Sequence, residues 1–309
     1  DKKYDIIIIG DNMKIVCIGH ASYDITFPVE EYPKENTKNR IQKRVECGGG
    51  PASNAAYLLG KWGMPTWFLG IVGNDEYGEV IREEFKEVGV NTTYLEVNNR
   101  VTTTNSMIIV NTQTGSRTTL TYRPEEIKME PVDLDFTPDI ILTDGQEIEQ
   151  TNRLFEQFPN AVRVIDASRP TPEIIELSKH CHFVVCSYNF ALSVTSLTEE
   201  DSNHHYQQLM DEMKKIFPGR VIVTLEEKGC LYESDGVLKR MPSLKMKAVD
   251  TTAAGDIFHG AFVYALAKGY RLEQTLQIAT ITGALSVTKI GGRYSVPELE
   301  EVMQYGKSK

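Results

Sequence analysis

Val249-Asp250-Thr251-Thr252-Ala253-Ala254-Gly255-Asp256-Ile257-Phe258 joins a run of small residues to the start of an amphipathic segment. Apolar residues recur at Ile257, Phe258, Ala261, Phe262, Ala265 and Leu266, the spacing of one helix face, which predicts a helix over 255–268. Small side chains before a helix let a phosphate come close to the backbone. The unpaired N–H groups of the first turn and the positive end of the helix dipole then hold the anion. Asp256 lies at that helix start, where a carboxylate is stabilised in its ionised form and can accept a proton from a hydroxyl. Spacing alone leaves a second reading open: an ordinary acidic residue in a helix first turn.

Working outward, strands are predicted at 140–143, 162–166, 183–187 and 221–225. Helices are predicted at 149–158, 172–179, 205–216, 272–289 and 296–304. Strands alternating with helices imply a parallel sheet with helices on both faces, a doubly wound α/β architecture. Nearer the start, 14–18 reads as a strand ending at Gly19 and 66–70 as another. Helices at 51–62 and 77–88 close with Gly63 and Gly89. Two early stretches break this rhythm. Residues 23–47 alternate around Pro28 and Pro33. Residues 94–122 are rich in Thr, Val and Ile, with a turn at Thr114-Gly115-Ser116 between strands 107–111 and 117–122. The expectation is one domain over 13–309, with a small β-sheet element built from insertions at about 23–47 and 92–122. Residues 4–10 and 14–19 compete for the first central strand, so 1–12 read as an extension before Met13.

The chain has 309 residues, enough for one large core. Its net charge of −10 gives no general basic footprint, which argues against non-specific nucleic-acid binding. Cys17, Cys47, Cys181, Cys186 and Cys230 are odd in number and irregular in spacing, as expected of buried reduced thiols. No run approaches the roughly 20 apolar residues of a membrane span. No cleavage-site pattern follows residues 6–9, so no signal peptide is read and a cytoplasmic location is expected.

A second chemistry-bearing stretch is Cys47-Gly48-Gly49-Gly50-Pro51-Ala52-Ser53-Asn54-Ala55-Ala56. Three glycines leading into a helix allow a polar ligand to touch backbone, and Asn54 offers both a donor and an acceptor. Together the two stretches closely resemble the two signatures of the PfkB carbohydrate kinases, the ribokinase-like family. The resemblance runs from Met13 over nearly the whole chain, and its family fold is a doubly wound α/β domain with a small β-sheet lid.

The resemblance implies roles residue by residue. Asp256 corresponds to the catalytic base, and Ala253, Ala254 and Gly255 to the anion hole. Ser22, Asp24, Gly48, Gly49, Gly50, Asn54 and Asp144 correspond to substrate-binding positions. Asn189, Thr224 and Gly229, with Gly255, are expected near ATP. K⁺ is expected near Asp250, Thr252 and the backbone of Gly291 and Gly292, and Mg²⁺ is expected with the nucleotide, its ligands unassigned. Arg117 is either a lid contact to phosphate or a solvated hairpin charge. A homodimer through the lid is expected from similar proteins. Three departures stand out. Ala253 replaces the usual Gly, a change tolerable at negative φ. Leu192 replaces the Glu of Asn-x-x-Glu, and Glu226 stands where Gly is usual. Among other residues, His20 reads as pocket-lining or structural, His204 and His205 as solvent-exposed, and Trp62 and Trp67 as core.

The implied activity is ATP-dependent transfer of the γ-phosphoryl group to a hydroxyl of a ribose- or ketose-type sugar. A nucleoside kinase, with Tyr23, Phe27 or Tyr122 stacking a base, and a non-catalytic sugar sensor are the alternatives. A nicotinamide dehydrogenase is disfavoured because no Gly-x-Gly-x-x-Gly follows an early strand. The substrate loop carries no Lys/Arg cluster, which argues against a sugar already phosphorylated.

Overall fold

The computed structural model describes residues 12–123 and 128–307. The competing strand-like run at 4–10 therefore lies outside the described residues. In chain order the first elements are β1 (Ile15–Ile18), β2 (Ser22–Val29), β3 (Val45–Gly49), α1 (Pro51–Lys61), β4 (Thr66–Gly73) and α2 (Glu76–Glu87). Then come β5 (Leu95–Asn98), β6 (Asn105–Asn111), β7 (Arg117–Tyr122), β8 (Ile140–Thr143), α3 (Ile148–Gln157), β9 (Val162–Ala167) and α4 (Pro172–Ser178). The remainder is β10 (Phe183–Ser187), α5 (Tyr188–Thr195), α6 (Asn203–Ile216), β11 (Arg220–Thr224), β12 (Cys230–Ser234), β13 (Val237–Met241), α7 (Ala254–Ala267), α8 (Leu272–Ser286) and α9 (Leu299–Lys307).

Among the described residues, nine strands form one sheet in the order β13-β12-β11-β10-β9-β8-β1-β4-β5. It is parallel except for β12 and β13 at one edge. Strands covered on both faces need apolar residues at every position. β1 meets this with Ile15 and Cys17 packed into one core and Val16 and Ile18 into the other, all four fully buried. The first core is closed by α1, α2, α7, α8 and α9, the second by α3 to α6. This is the α/β sandwich the sequence pattern predicts.

The smaller sheet runs β3-β2-β6-β7. The 92–122 insertion is divided between the two sheets: 95–98 extends the large sheet beside β4, and only β6 and β7 join the small one. Three further elements are absent from the sequence expectation: β12, β13 and α5. The final helix begins at Leu299 rather than 296, because residues 293–295 form a 3₁₀ turn and Pro297 follows it. The helix expected over 272–289 stops at Ser286.

All five cysteines are free and buried. Trp62 is buried against Tyr264, with its indole N–H donating to the Pro297 carbonyl at 3.0 Å. Trp67 packs on Phe136. His205 differs from its expected exposure. It is buried at the start of α6, with Nε2 2.9 Å from the Tyr188 hydroxyl, while His204 is exposed. No helix among the described residues is long and apolar enough to cross a membrane.

Candidate active site

Parallel strands end at one edge of their sheet, and their following loops open there. Here the ends of β1, β8, β9, β10 and β11 meet the N-terminus of α7 at that edge, with the small sheet standing over it.

No side chain caps α7, so its first-turn N–H groups are left for another acceptor. Gly255 is exposed, with open space where a Cβ would point. Asp256 follows. Its Oδ2 accepts from Asn54 Nδ2 at 2.8 Å, joining the two sequence stretches across 202 residues. The Asn54 Oδ1 is buried without a partner. Burial raises the Asp256 carboxyl above the usual carboxylate range, opposed by the Asn54 hydrogen bond and then by His259 and Arg117.

Asp24 is buried on β2, with Oδ1 accepting from the Ser22 hydroxyl at 3.0 Å. Burial pushes its carboxyl up to about 6, opposed by the hydroxyls of Ser22 and Ser106. The glycines are explained by close approach. A Cβ on Gly49 would lie 2.1 Å from Asp24 Oδ2, and one on Gly48 would lie 2.4 Å from the Arg293 guanidinium. Gly50 is the N-cap of α1.

Arg293 sits in the 3₁₀ turn after α8 and is only 1% exposed. It donates to Glu84 Oε2 at 2.5 Å and to Ser53 Oγ at 2.5 Å. Glu84 Oε2 also accepts from Gly48 N at 2.8 Å. The guanidinium carbon lies 4.5 Å from the Phe85 ring centroid and 5.1 Å from that of Tyr57. The substrate loop is thus held from beneath by a buried ion pair that the sequence expectation does not contain.

Asp144 also has its carboxylate committed. Oδ2 accepts from His20 N at 2.8 Å and Ala52 N at 3.2 Å, and Oδ1 from Gln146 N at 2.9 Å. These bonds tie the ends of β1 and β8 to the start of α1. Asp144 therefore holds the site's frame together, which differs from the direct substrate contact expected of it. Beneath α7, His259 Nδ1 lies 2.6 Å from the Gly255 carbonyl and 3.3 Å from Asp166 Oδ2, and Nε2 lies 3.2 Å from the Val185 carbonyl. Both residues are absent from the sequence expectation, because His259 interrupts an apolar helix face and Asp166 merely ends a strand.

The small sheet reaches the anion-hole loop through its hairpin. Thr251 N and Oγ1 both donate to the Gly115 carbonyl, at 3.2 and 2.9 Å. Arg117 Nη1 donates to Thr251 Oγ1 at 2.7 Å. Arg117 is therefore docked beside the anion hole, which narrows the alternatives left by its sequence position.

Ala253 has φ of 61°, in the left-handed region, so the negative φ expected for its methyl group is not adopted. An L-residue there costs about 1–2 kcal/mol. Ala253→Gly is expected to stabilise the protein by about 1 kcal/mol, read as an upward shift of the urea midpoint at unchanged slope. An unchanged or lower midpoint would mean that packing of the methyl group outweighs the backbone strain.

Thr224 ends β11, with its hydroxyl on the Cys186 carbonyl at 3.2 Å. Gly229 has φ of 97°, and a Cβ there would strike the Met241 carbonyl. Asn189 is exposed in the first turn of α5. Glu226 tolerates its place in the turn at φ of 52°. Leu192 packs against the second core, away from any metal-ligand role. No group of three or more His, Cys, Asp or Glu side chains poised for a metal occurs among the described residues.

Residues expected to hold K⁺ do suit a large monovalent ion. Asp250 is buried, with Oδ1 accepting from Thr252 N at 2.8 Å and Oδ2 from Gly291 N at 2.9 Å. Beside it the Thr252 hydroxyl is buried without a partner. An orphaned hydroxyl next to a buried carboxylate is the donor set a cation would complete.

Residues 12–299 match the profile of the pfkB family carbohydrate kinase. The chain is 24% identical to the ribokinase of Bacillus subtilis (strain 168), covering 94% of this chain and 98% of the relative. It is also 24% identical to the nucleoside kinase of Methanocaldococcus jannaschii, covering 96% of this chain and 97% of the relative. The crystal structure of a ribokinase from Thermotoga maritima superposes with a TM-score of 0.79 at 26% identity, over 96% of this chain and 99% of that one. The chain belongs to the pfkB family of carbohydrate kinases and is an ATP-using phosphotransferase with an alcohol group as acceptor.

Proposed function

We propose that this protein transfers the γ-phosphoryl group of ATP to a hydroxyl of a small monosaccharide of ribose or ketose type. The observation that carries this reading is the Asn54 amide. Its Nδ2 donates to Asp256 while its Oδ1, buried and unpaired, awaits a donor. A sugar supplies such donors densely. One hydroxyl would donate to Asn54 Oδ1, another to Asp24, and a third to Asp256. Burying a carboxylate such as Asp24 is costly unless a ligand's hydroxyls complete its hydrogen bonds.

Asp256 would take the proton of the reacting hydroxyl as that oxygen bonds to phosphorus and the β–γ bridging bond breaks, releasing ADP. The N–H groups of Gly255 and Asp256 and the dipole of α7 face the charge that grows on the transferring group. ATP supplies the phosphoryl group when bound over Asn189, Thr224 and Gly229. Mg²⁺ would arrive on its phosphates, which supply most of its ligands. Asp250 and Thr252 would hold K⁺.

The outer face of the small sheet supports a homodimer through the lid. Met107, Leu120 and Tyr122 are 48%, 61% and 61% exposed, and Met107 pairs with Leu120 across β6 and β7. Three such side chains on one face form an apolar patch of the kind a partner covers. Leu120→Glu is expected to halve the mass of the wild-type particle in sedimentation. A monomeric wild type would remove this reading.

The test of function is sugar-dependent ADP release across ribose, fructose and nucleosides, with and without K⁺. No release from any of them would sink it. Strong preference for a nucleoside would establish the alternative that the Methanocaldococcus relative suggests.

A further inference from the structure

Two guanidinium groups from different sheets converge on one neutral oxygen at the open edge of the site. Arg123 Nη1 donates to Gln146 Oε1 at 2.7 Å, and Arg169 Nη2 donates to the same atom at 2.9 Å. Arg123 follows β7 of the small sheet, Arg169 follows β9 of the large one, and Gln146 lies two residues past Asp144. We propose that the substrate carries an oxyanion group, remote from the hydroxyl that is phosphorylated, and that Arg123 and Arg169 bind it. This rests on the sugar-kinase reading above and specifies its substrate.

The position fits. On β7, Arg117, Thr119 and Thr121 alternate onto one face. Thr121 Oγ1 lies 3.2 Å from Ser106 Oγ, and the Ser106 hydroxyl bonds Asp24. Continued alternation brings Arg123 to that same side. Arg117 reaches the anion-hole loop at one end of the strand, and Arg123 lies at the other. A cavity lined by Gly19, His20, Ala21, Thr103, Arg123 and Glu147 opens beside Ser22.

The chemistry fits as well. Two like charges meeting at an amide oxygen repel each other, and a neutral acceptor offsets this weakly. A carboxylate, phosphate or sulfonate offers full charge and several oxygens to two planar forks. The nearby acids are committed elsewhere. Asp144 holds three backbone N–H groups, Asp166 faces His259, and Glu147 accepts from Met129 N. Burial raises the Glu147 carboxyl and lowers the His20 imidazole, so both groups shift toward neutrality. The Arg cluster missing from the substrate loop is thus assembled by the fold from two distant loops.

The experiment measures ADP release with fructose, fructose 6-phosphate, 6-deoxy-6-sulfofructose and 2-keto-3-deoxygluconate, which separates neutral, phosphate, sulfonate and carboxylate ends. At least one anionic sugar is expected to exceed fructose in kcat/KM by about 10-fold or more. Arg123→Gln and Arg169→Gln should each remove about 10- to 100-fold from that sugar, through its KM, with fructose and the KM for ATP unchanged. Fructose or ribose as the best substrate would overturn the proposal, as would Arg variants that raise only the KM for ATP. If no sugar yields ADP, the kinase reading fails separately. Calorimetric titration of the same four sugars into Asp256→Asn protein then decides the anion site. Tighter binding of an anionic sugar that is lost in the Arg variants supports it, and equal affinities overturn it.

Discussion

Asp256→Asn is expected to lower kcat by about 10²–10⁴-fold while leaving the sugar dissociation constant within about 3-fold. The substitution keeps the size of the side chain and an oxygen to accept from Asn54 Nδ2, now 2.8 Å away, so the pocket wall is preserved. Only the capacity to take a proton is lost. The pH dependence follows from the shifts. Burial raises the Asp256 carboxyl, so its ionised form disappears at a higher pH than for an ordinary aspartate, and kcat falls on the acid side accordingly. Asp24, at about 6, accepts sugar hydroxyls only when ionised, so the sugar KM should rise as pH drops through 6. For stability the sign is opposite. With the folded value raised above the unfolded one, the empty protein gains stability from Asp24 as pH falls from above 6 toward 4 and loses it as pH rises again. Steady-state kinetics between pH 5 and 9 read the first effects and urea unfolding the second. A variant retaining more than about a tenth of wild-type kcat would remove Asp256 from the proton transfer.

Arg293→Ala is expected to cost about 3–5 kcal/mol of folding stability, much of the margin of a typical domain. Deleting the guanidinium leaves Glu84 enclosed beside Phe85 and Tyr57 without its counter-charge, and removes the bond to Ser53. Replacing both partners, as Glu84→Gln with Arg293→Met, should be less damaging than the single change, because no buried charge is stranded. In the folded fraction the sugar KM should rise with kcat retained at saturation, since Gly48 loses the carboxylate that holds its N–H at 2.8 Å. Urea midpoints for the two single variants and the double variant form the test. A loss below about 1 kcal/mol for Arg293→Ala would show that the pair contributes little.

The large sheet was legible because its strands are short, wholly apolar and spaced by helical patterns, as 140–143 and 183–187 illustrate. The Gly48–Asn54 and Ala253–Asp256 stretches were legible because close approach leaves a local mark in glycine and alanine. Arg293 was not, since its partners lie 209 and 240 residues away and nothing near it in the chain signals a buried cation. Arg123 and Arg169 were hidden for the same reason. The β12–β13 hairpin could have been found, because Asp235-Gly236 sits between two strand-like runs with both residues at positive φ. His205 was misjudged because a polar neighbourhood in sequence says little about which helix face turns inward. Ala253 was misjudged because residue type reports conformational preference, and tertiary packing overrode it.

The seam between Gly115 and Thr251 has a thermodynamic consequence. The hairpin that covers the sugar and the loop that precedes the phosphoryl site share hydrogen bonds, so neither settles independently of the other. Any free energy with which sugar favours the docked hairpin is returned as tighter nucleotide binding, and nucleotide must tighten sugar by the same factor. Occupancy of the two sites is cooperative by construction, and a cell short of sugar would leave this protein slow to engage its ATP.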